Sequence, residues 1–418
     1  LVVGLGVTGR AVVAYLEGQG FEVRTYDDKP GLGDVDPAEL DAVVGAVDVV
    51  VPSPGVPAGH PVYELAGRHD VPVLSEIELA SVAASMPLIA VTGTNGKTTV
   101  TTIVAAMLVE SGITAVAAGN IGLPLIEAIA QPVDAVVAEV SSFQLQYTET
   151  FRPAVAVWLN LAEDHLDWHP SLEHYAAAKA RIWANQRASE VAVANAEDPA
   201  VMRFAATAPG RLVTFGEGGD WHVADGLLTM PDGEVLLPVT GLPRALPHDI
   251  ANSLAAAAAA VAAGASVDAC RAVLSTFQGL PHRVQLVSDA GGVRWYDDSK
   301  ATTPASVVAA LKGFDSAVLI AGGRNKGLDL GALRAGVSSV KAVVAIGDAA
   351  REVVTAFDGL RPVQVADSMD EAVALAADLA GPGDVVLLSP GCASFDWYTS
   401  YAQRGDDFAR AVRQRVEA

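Results

Sequence analysis

Cysteine is nearly absent: Cys270 and Cys392 are the only two in 418 residues. Two thiols cannot staple a chain of this length, so no disulfide framework is expected and a reducing, cytoplasmic setting fits. Basic residues are also scarce. Lys and Arg number 27 against 49 Asp and Glu, a formal net charge of −22. A surface that acidic repels nucleic acid and anionic lipid, which excludes a general polyanion binder. Any phosphate ligand must then be held locally, by backbone N–H groups, a few cations or a metal. Long apolar runs are missing too. The most conspicuous, from Leu254 to Ala263, is mostly alanine and stops at Gly264. That falls short of the roughly 20 residues of a membrane span and reads as a buried or half-buried helix. No signal peptide is visible, and the chain opens at Leu1 inside an apolar run, so a preceding segment is expected. There is neither a fixed-period repeat nor a low-complexity linker.

What is present is apolar: 51% of residues are hydrophobic and 18% charged, ample for several cores. At about 150 residues per domain the central expectation is three domains. Short Val/Ile/Leu runs alternate with Ala-rich helical stretches. Leu1–Val3, Asp48–Val51, Leu88–Val91, Ala135–Val140, Val155–Leu159, Val191–Ala194, Ala317–Ala321, Ala342–Ile346 and Val385–Leu388 read as strands. Runs without polar alternation indicate parallel sheets covered on both faces, hence an α/β fold. Breaks at Ser85-Met86-Pro87 and Gly279-Leu280-Pro281 divide the chain into 1–85, 86–280 and 281–418. The turn pairs Asp225-Gly226 and Asp232-Gly233 mark an antiparallel excursion within Trp221–Pro238.

Three glycine loops each follow a strand. Gly4-Leu5-Gly6-Val7-Thr8-Gly9 opens a helix, with Asp27 at the end of the next strand. It matches a dinucleotide fingerprint, in which a diphosphate sits on the helix N-terminus. NAD, another phosphate ligand and a mere tight turn all remain open for it. Gly93-Thr94-Asn95-Gly96-Lys97-Thr98-Thr99 ends like a P-loop, with Lys97 for phosphate oxygens and Thr98 for Mg²⁺. Val91 stands where the full pattern wants glycine, so this is a variant. Gly322-Gly323-Arg324-Asn325-Lys326-Gly327 has no Ser/Thr after its lysine, and reads either as a ligand loop or as a surface turn.

Other residues carry possible chemistry. Glu139 lies in an apolar strand, where a carboxylate is costly unless paired or metal-bound. In Asp164-His165-Leu166-Asp167-Trp168-His169 no other His/Cys set lies at zinc spacing. One histidine near the P-loop is the better reading, with Asp167 and His169 as capping or surface residues. Lys179 lies on a helix and by pattern reads as a solvated charge. Asp297-Asp298-Ser299-Lys300-Ala301-Thr302 follows a strand and reads equally as active site or as the cap of the helix after Pro304.

The combination resembles a known family. Gly93-Thr94-Asn95-Gly96-Lys97-Thr98, Gly119-Asn120-Ile121-Gly122, Glu139-Val140-Ser141-Ser142-Phe143-Gln144-Leu145, Glu163-Asp164-His165-Leu166-Asp167 and Leu280-Pro281-His282-Arg283 look like the Mur ligases of peptidoglycan synthesis. The likeness runs in order from residue 1 to about 415. Asp298-Ser299-Lys300-Ala301-Thr302, the ending Ser389-Pro390-Gly391-Cys392-Ala393-Ser394-Phe395-Asp396, and Gln403-Arg404-Gly405 with Phe408 point to its D-glutamate-adding branch. The Asp-Asn-Pro-Arg motif of the branches that add diaminopimelate or lysine is not found.

The resemblance implies a Rossmann-like first domain, a P-loop-type central ATPase domain with a mainly parallel sheet, and a Rossmann-like third domain. It turns the first glycine loop from NAD to a UDP-sugar, with Val7, Thr8, Asp27, Lys29, Gly55 and Asn120 as contacts. It implies that ATP phosphorylates the carboxylate of UDP-N-acetylmuramoyl-L-alanine and that the amine of D-glutamate displaces phosphate. Gly93 to Thr99, Asn252, Arg283 and Asp298 would hold ATP, with Lys97 on the γ-phosphate. Two Mg²⁺ ions are implied, one on Thr98 and Glu139, the other on His165 and a carbamylated Lys179. Thr302, Lys326, Ser394 and Tyr401 would hold D-glutamate, Tyr401 standing where phenylalanine can occur. Asp249 replaces a frequent asparagine and is left out. A monomer is expected, with closure of its domains about Gly279–Arg283. Folylpolyglutamate synthase is the nearest alternative, but it would lack the Gly4–Gly9 domain; an NAD oxidoreductase fused to a P-loop module is another class.

Overall fold

The structure is a computed structural model that describes residues 1–166 and 168–417. The chain divides into two compact units. The first comprises residues 1–161, 168–243 and 251–277; residues 162–166, 244–250 and 278–417 make up the second.

The first unit holds two parallel sheets. Its N-terminal sheet has three strands in the order Thr25–Tyr26, Val2–Val3, Val51–Pro52. Its central sheet has six, in the order Ala115–Gly119, Ala135–Glu139, Leu88–Thr92, Val155–Trp158, Val191–Asn195, Arg211–Phe215. Every pairing in both is parallel. All of Leu88–Thr92, Ala135–Glu139 and Val155–Trp158 is buried, the two-sided burial that continuous apolar runs require. The expected excursion is a three-stranded antiparallel sheet, His222–Ala224, Leu227–Thr229 and Val235–Pro238.

Within the first unit, residues 1–85 are stitched to the central sheet. Glu76 Oε1 accepts from Ile126 N at 2.6 Å. Glu78 accepts from the N–H groups of Glu149, Thr150 and Phe151 at 3.1, 2.8 and 3.0 Å. Val2, Val12 and Val51 share one apolar cluster with Ile77, Leu88 and Leu125.

The second unit is a six-stranded sheet in the order Gln285–Ala290, Val293–Asp297, Val385–Leu388, Ala317–Gly322, Val340–Ile346, Val363–Ala366. Only its first pair is antiparallel. Strand alternation splits its core cleanly. Ala317, Leu319 and Ala321 enter one cluster, and Val318 and Ile320 enter the other. The helix Pro304–Leu311 starts on Thr303, whose hydroxyl accepts from Ser306 N. Asp297–Thr302 therefore do not cap it.

Candidate functional site

Three adjacent strands of the central sheet deliver chemistry at their carboxyl ends, where open α/β sheets bind ligands. Leu88–Thr92 runs into the loop Gly93–Gly96 and the helix Lys97–Glu110. Gly93 and Gly96 have φ of 155° and 84°, values that disfavour a side chain. A Cβ at Gly96 would come 2.5 Å from Asn252 Oδ1, so the expected ATP residue Asn252 abuts the loop. Lys97 Nζ donates to the carbonyls of Gly93 and Thr94, both at 2.9 Å. Thr98 and Thr99 follow in the first turn of that helix.

The loop is braced by a residue that sequence reasoning passed over. Asn160, just beyond Val155–Trp158, accepts through Oδ1 from Thr94 N at 3.1 Å and Asn95 N at 2.8 Å. Its Nδ2 donates to the Asn95 carbonyl at 3.2 Å. A polar residue at the carboxyl end of an apolar strand was the available signal.

Glu139 ends the strand beside the loop and is 2% exposed. Its Oε1 accepts from Asn120 Nδ2 at 2.7 Å, and its Oε2 is buried with no hydrogen bond. Asn120, expected on the sugar or its peptide arm, thus turns its amide to Glu139. Lys179 corrects the pattern reading of a solvated charge. It is 1% exposed, donates to Gly93 O at 2.8 Å and lies 4.5 Å from the centre of the Tyr175 ring. The helix Leu172–Ala180 turns this side chain inward under the phosphate loop. Lys97 and Lys179 therefore meet on one carbonyl. His169 is corrected likewise: it is wholly buried, 2.9 Å from Ser142 Oγ and from His174 Nδ1. Asp167 lies outside the described residues.

A cavity of about 510 Å³ opens beside the Gly4–Gly9 loop. All six residues expected around the UDP-sugar line it: Val7, Thr8, Asp27, Lys29, Gly55 and Asn120. Gly9 is obligatory there, since a Cβ would stand 1.9 Å from the Gly4 carbonyl oxygen. Asp27 accepts from Leu5 N at 2.6 Å and Lys29 N at 2.9 Å. Those backbone bonds hold its carboxyl below the ordinary range. His60 also lines the cavity, its Nε2 3.2 Å from Asp28 Oδ1.

In the second unit, Asp298 is buried, accepting from Ser389 Oγ at 2.7 Å and Val284 N at 3.2 Å. Burial pushes its carboxyl up to about 7, against the pull of these bonds and of nearby Arg283. His165 stands at φ 56°, its Nε2 3.3 Å from Asp164 Oδ2. Asp249 is spent on an ion pair with Arg244 at 2.7 Å. Of the four expected D-glutamate residues, Ser394 is buried, Thr302 half-buried, and Lys326 and Tyr401 exposed. Their segments are tied together. Gly391 N donates to Ala301 O at 2.9 Å, and Arg324 and Ala393 exchange two backbone bonds at 2.9 and 3.0 Å. Ser299 Oγ donates to Tyr401 O at 2.7 Å, and Lys300 Nζ lies 3.9 Å from the Tyr401 ring centre.

A phosphate loop on a parallel sheet, next to a half-satisfied carboxylate, belongs to nucleotide-dependent group transfer. Comparisons with known proteins narrow that class. Residues 91–260 match the Mur ligase middle domain, and 282–392 match the Mur ligase glutamate ligase domain. A UDP-N-acetylmuramoylalanine–D-glutamate ligase of Frankia casuarinae is 43% identical over 99% of this chain and 94% of its own length. The like-named protein of Shouchella clausii is 42% identical over 100% and 97%. Among solved structures, a pseudomurein peptide ligase type C from Methanothermus fervidus superposes with a TM-score of 0.63 at 18% identity, covering 99% of both chains. A UDP-N-acetylmuramate–alanine ligase from Thermotoga maritima gives 0.62, again at 18% identity and 99% of both. The chain belongs to the Mur ligase family and is an ATP-dependent amide-bond-forming ligase of peptidoglycan synthesis. Among the described residues, no helix is long and apolar enough to cross a membrane.

Proposed function

We propose that this chain joins D-glutamate to UDP-N-acetylmuramoyl-L-alanine through an acyl phosphate, as a monomer in the cytoplasm. Three domains would divide the work: 1–85 for the nucleotide-sugar, 86–280 for ATP and 281–418 for the amino acid. The observation that carries this reading is the cavity beside Gly4–Gly9, which gathers all six residues expected for the nucleotide-sugar. It is lined by other residues than the ATP loop, so each phosphate-bearing substrate has its own cradle. NAD is not part of the proposal.

Chemically, a carboxylate oxygen of the muramoyl-alanine attacks the γ-phosphorus and ADP departs. The neutral amine of D-glutamate then adds to the acyl carbon. The tetrahedral intermediate collapses, releasing phosphate and leaving the amide; the amine proton passes to a base or to water. The Gly93–Thr99 N–H groups and Asn252 orient ATP. Lys97, now on its own loop carbonyls, turns to the γ-phosphate as the triphosphate enters. His165, Arg283 and Asp298 belong to the second unit, and their share in the ATP site rests on their motifs.

The donor set suits magnesium, because Glu139 Oε2 is a buried hard oxygen with no hydrogen bond. Thr98 and Glu139 would hold one ion, and His165 with Lys179, carbamylated to an oxygen donor, a second. Bound there, the ions screen the repulsion between the carboxylate and the phosphates.

The test is substrate dependence of phosphate release. Release from ATP should require UDP-N-acetylmuramoyl-L-alanine and D-glutamate together. Equal release with L-glutamate, D-alanine or no amino acid would refute the assignment.

A further inference from the structure

The Gln403-Arg404-Gly405 motif has found no role so far. Arg404 lies in the first turn of the helix Tyr401–Glu417 and is 1% exposed. Its Nε donates to Ser299 Oγ at 2.9 Å and its Nη2 to Ser299 O at 2.8 Å. On the other side Nη2 donates to Cys392 O at 3.1 Å and Nη1 to Ala393 O at 3.2 Å. One planar fork thus clamps the segment leading to Thr302 against the segment leading to Ser394. Ala393 O also accepts from Arg324 N, two residues before Lys326. The loop passes so close that a Cβ at Gly323 would stand 2.4 Å from Ala393 O and 3.1 Å from Arg404 Nη1.

All four acceptors are neutral oxygens. Asp396 and Asp297 feel the guanidinium's charge without bonding to it, and burial lowers its pKa to about 10. A buried charge without an ion-pair partner is costly. Asp396 and Asp297 offset part of that charge, and a bound anion would offset more.

We infer that Arg404 is the positioning residue of the amino-acid site: its fork fixes the segments carrying Thr302, Lys326 and Ser394, and its charge, hydrogen-bonded only to neutral oxygens, favours a dicarboxylic amino acid. This rests on the proposed role of those three residues. A lysine cannot replace it, since a point charge lacks the divergent donors that reach Ser299, Cys392 and Ala393 together.

The experiment compares Arg404→Lys, Arg404→Ala and Lys326→Ala by steady-state kinetics, with nucleotide-sugar binding as the folding check. For Arg404→Lys the KM for D-glutamate should rise about tenfold or more, the worth of one to two charge-assisted bonds. The KM for ATP and for the nucleotide-sugar should stay within about threefold. Added methylguanidinium should restore part of the D-glutamate affinity of Arg404→Ala and none of Lys326→Ala. An unchanged KM for D-glutamate, equal rises for all three substrates, or loss of nucleotide-sugar binding in both Arg404 variants would overturn the inference. If Lys326→Ala also left that KM unchanged, the amino-acid site reading itself would fail. If only Lys326→Ala raised it, Arg404 alone would lose its role.

Discussion

Asn160→Ala should loosen the phosphate loop without touching the rest of the sheet. The substitution removes three hydrogen bonds: Thr94 N and Asn95 N to Oδ1, and Nδ2 to the Asn95 carbonyl. The backbone carbonyl of Asn160 still accepts from Thr94 N at 3.0 Å, so the loop is slackened rather than released. Because Thr94 N keeps an acceptor, two bonds are lost outright; at about 1 kcal/mol net per bond, the preformed loop loses about 2 kcal/mol of support. If ATP binding must restore that order, its Kd rises about thirtyfold, at about 1.4 kcal/mol per decade. Asn160→Asp keeps both acceptor contacts, loses the donor, and sets a carboxylate beside the triphosphate, so it should bind ATP no better than Asn160→Ala. The assay is isothermal titration with a non-hydrolysable ATP analogue, with nucleotide-sugar binding as control. A Kd for the analogue within threefold of wild type in Asn160→Ala would refute the reasoning.

Lys97→Ala should lower turnover about 10²-fold or more, the worth of one phosphate-stabilising group, and leave nucleotide-sugar affinity nearly intact. Phosphate release and titration check it; turnover within tenfold of wild type removes Lys97 from the γ-phosphate. Lys179→Ala should be nearly inactive and partly restored by formate or acetate, which refill an oxygen position, whereas Lys179→Arg should stay inactive. Substantial activity in Lys179→Arg would return this lysine to a packing role under the loop. Glu76 gives a pH signature, because burial pushes its carboxyl up to about 7 from the ordinary 4.5 of a glutamate, despite the bond from Ile126 N. The folded state holds this proton where the unfolded chain has released it. The stability it supplies is therefore full below about 4.5 and is lost as pH rises to about 7, on the order of 3 kcal/mol in all. Urea denaturation should show Glu76→Gln gaining on wild type over that window; a constant difference refutes it.

How much was legible from the sequence follows from what each residue answers to. Val155–Trp158 and Ala317–Gly322 announce themselves because two-sided burial forbids polar residues in them. Ala115–Gly119 and Thr25–Tyr26 do not: the first has a single valine among alanine and glycine, with four of its five residues half-buried, and the second is two residues long. Gly9, Gly93 and Gly96 stand out since their backbone geometry admits little else. Glu139 stands out because a carboxylate inside an apolar strand must have a use. Lys179 carries the same cost but hides it, since a lysine on an Ala-rich helix looks like any solvated charge until the fold shows which face is inward.

The residues whose role escaped share one feature: their partners are mainly peptide groups. Asn160 reaches a loop 66 positions away, and Arg404 a segment 105 away. Glu78 takes three consecutive N–H groups at 149–151. A ligand-binding motif constrains both ends of a contact, and so leaves a pattern in the residues at each. A brace constrains only one, because every residue except proline offers the same N–H and every residue the same carbonyl. Its partner therefore leaves no trace in the sequence. The usable clue is position. Asn160 lies two residues past an apolar strand, and Glu139 is the last residue of the strand on the other side of Leu88–Thr92; both lie at carboxyl ends in the same sheet. The rule that picks out one as a candidate ligand picks out the other as the support of a ligand loop. Which of the two a residue becomes is decided by the register of the strands, and only the fold supplies that.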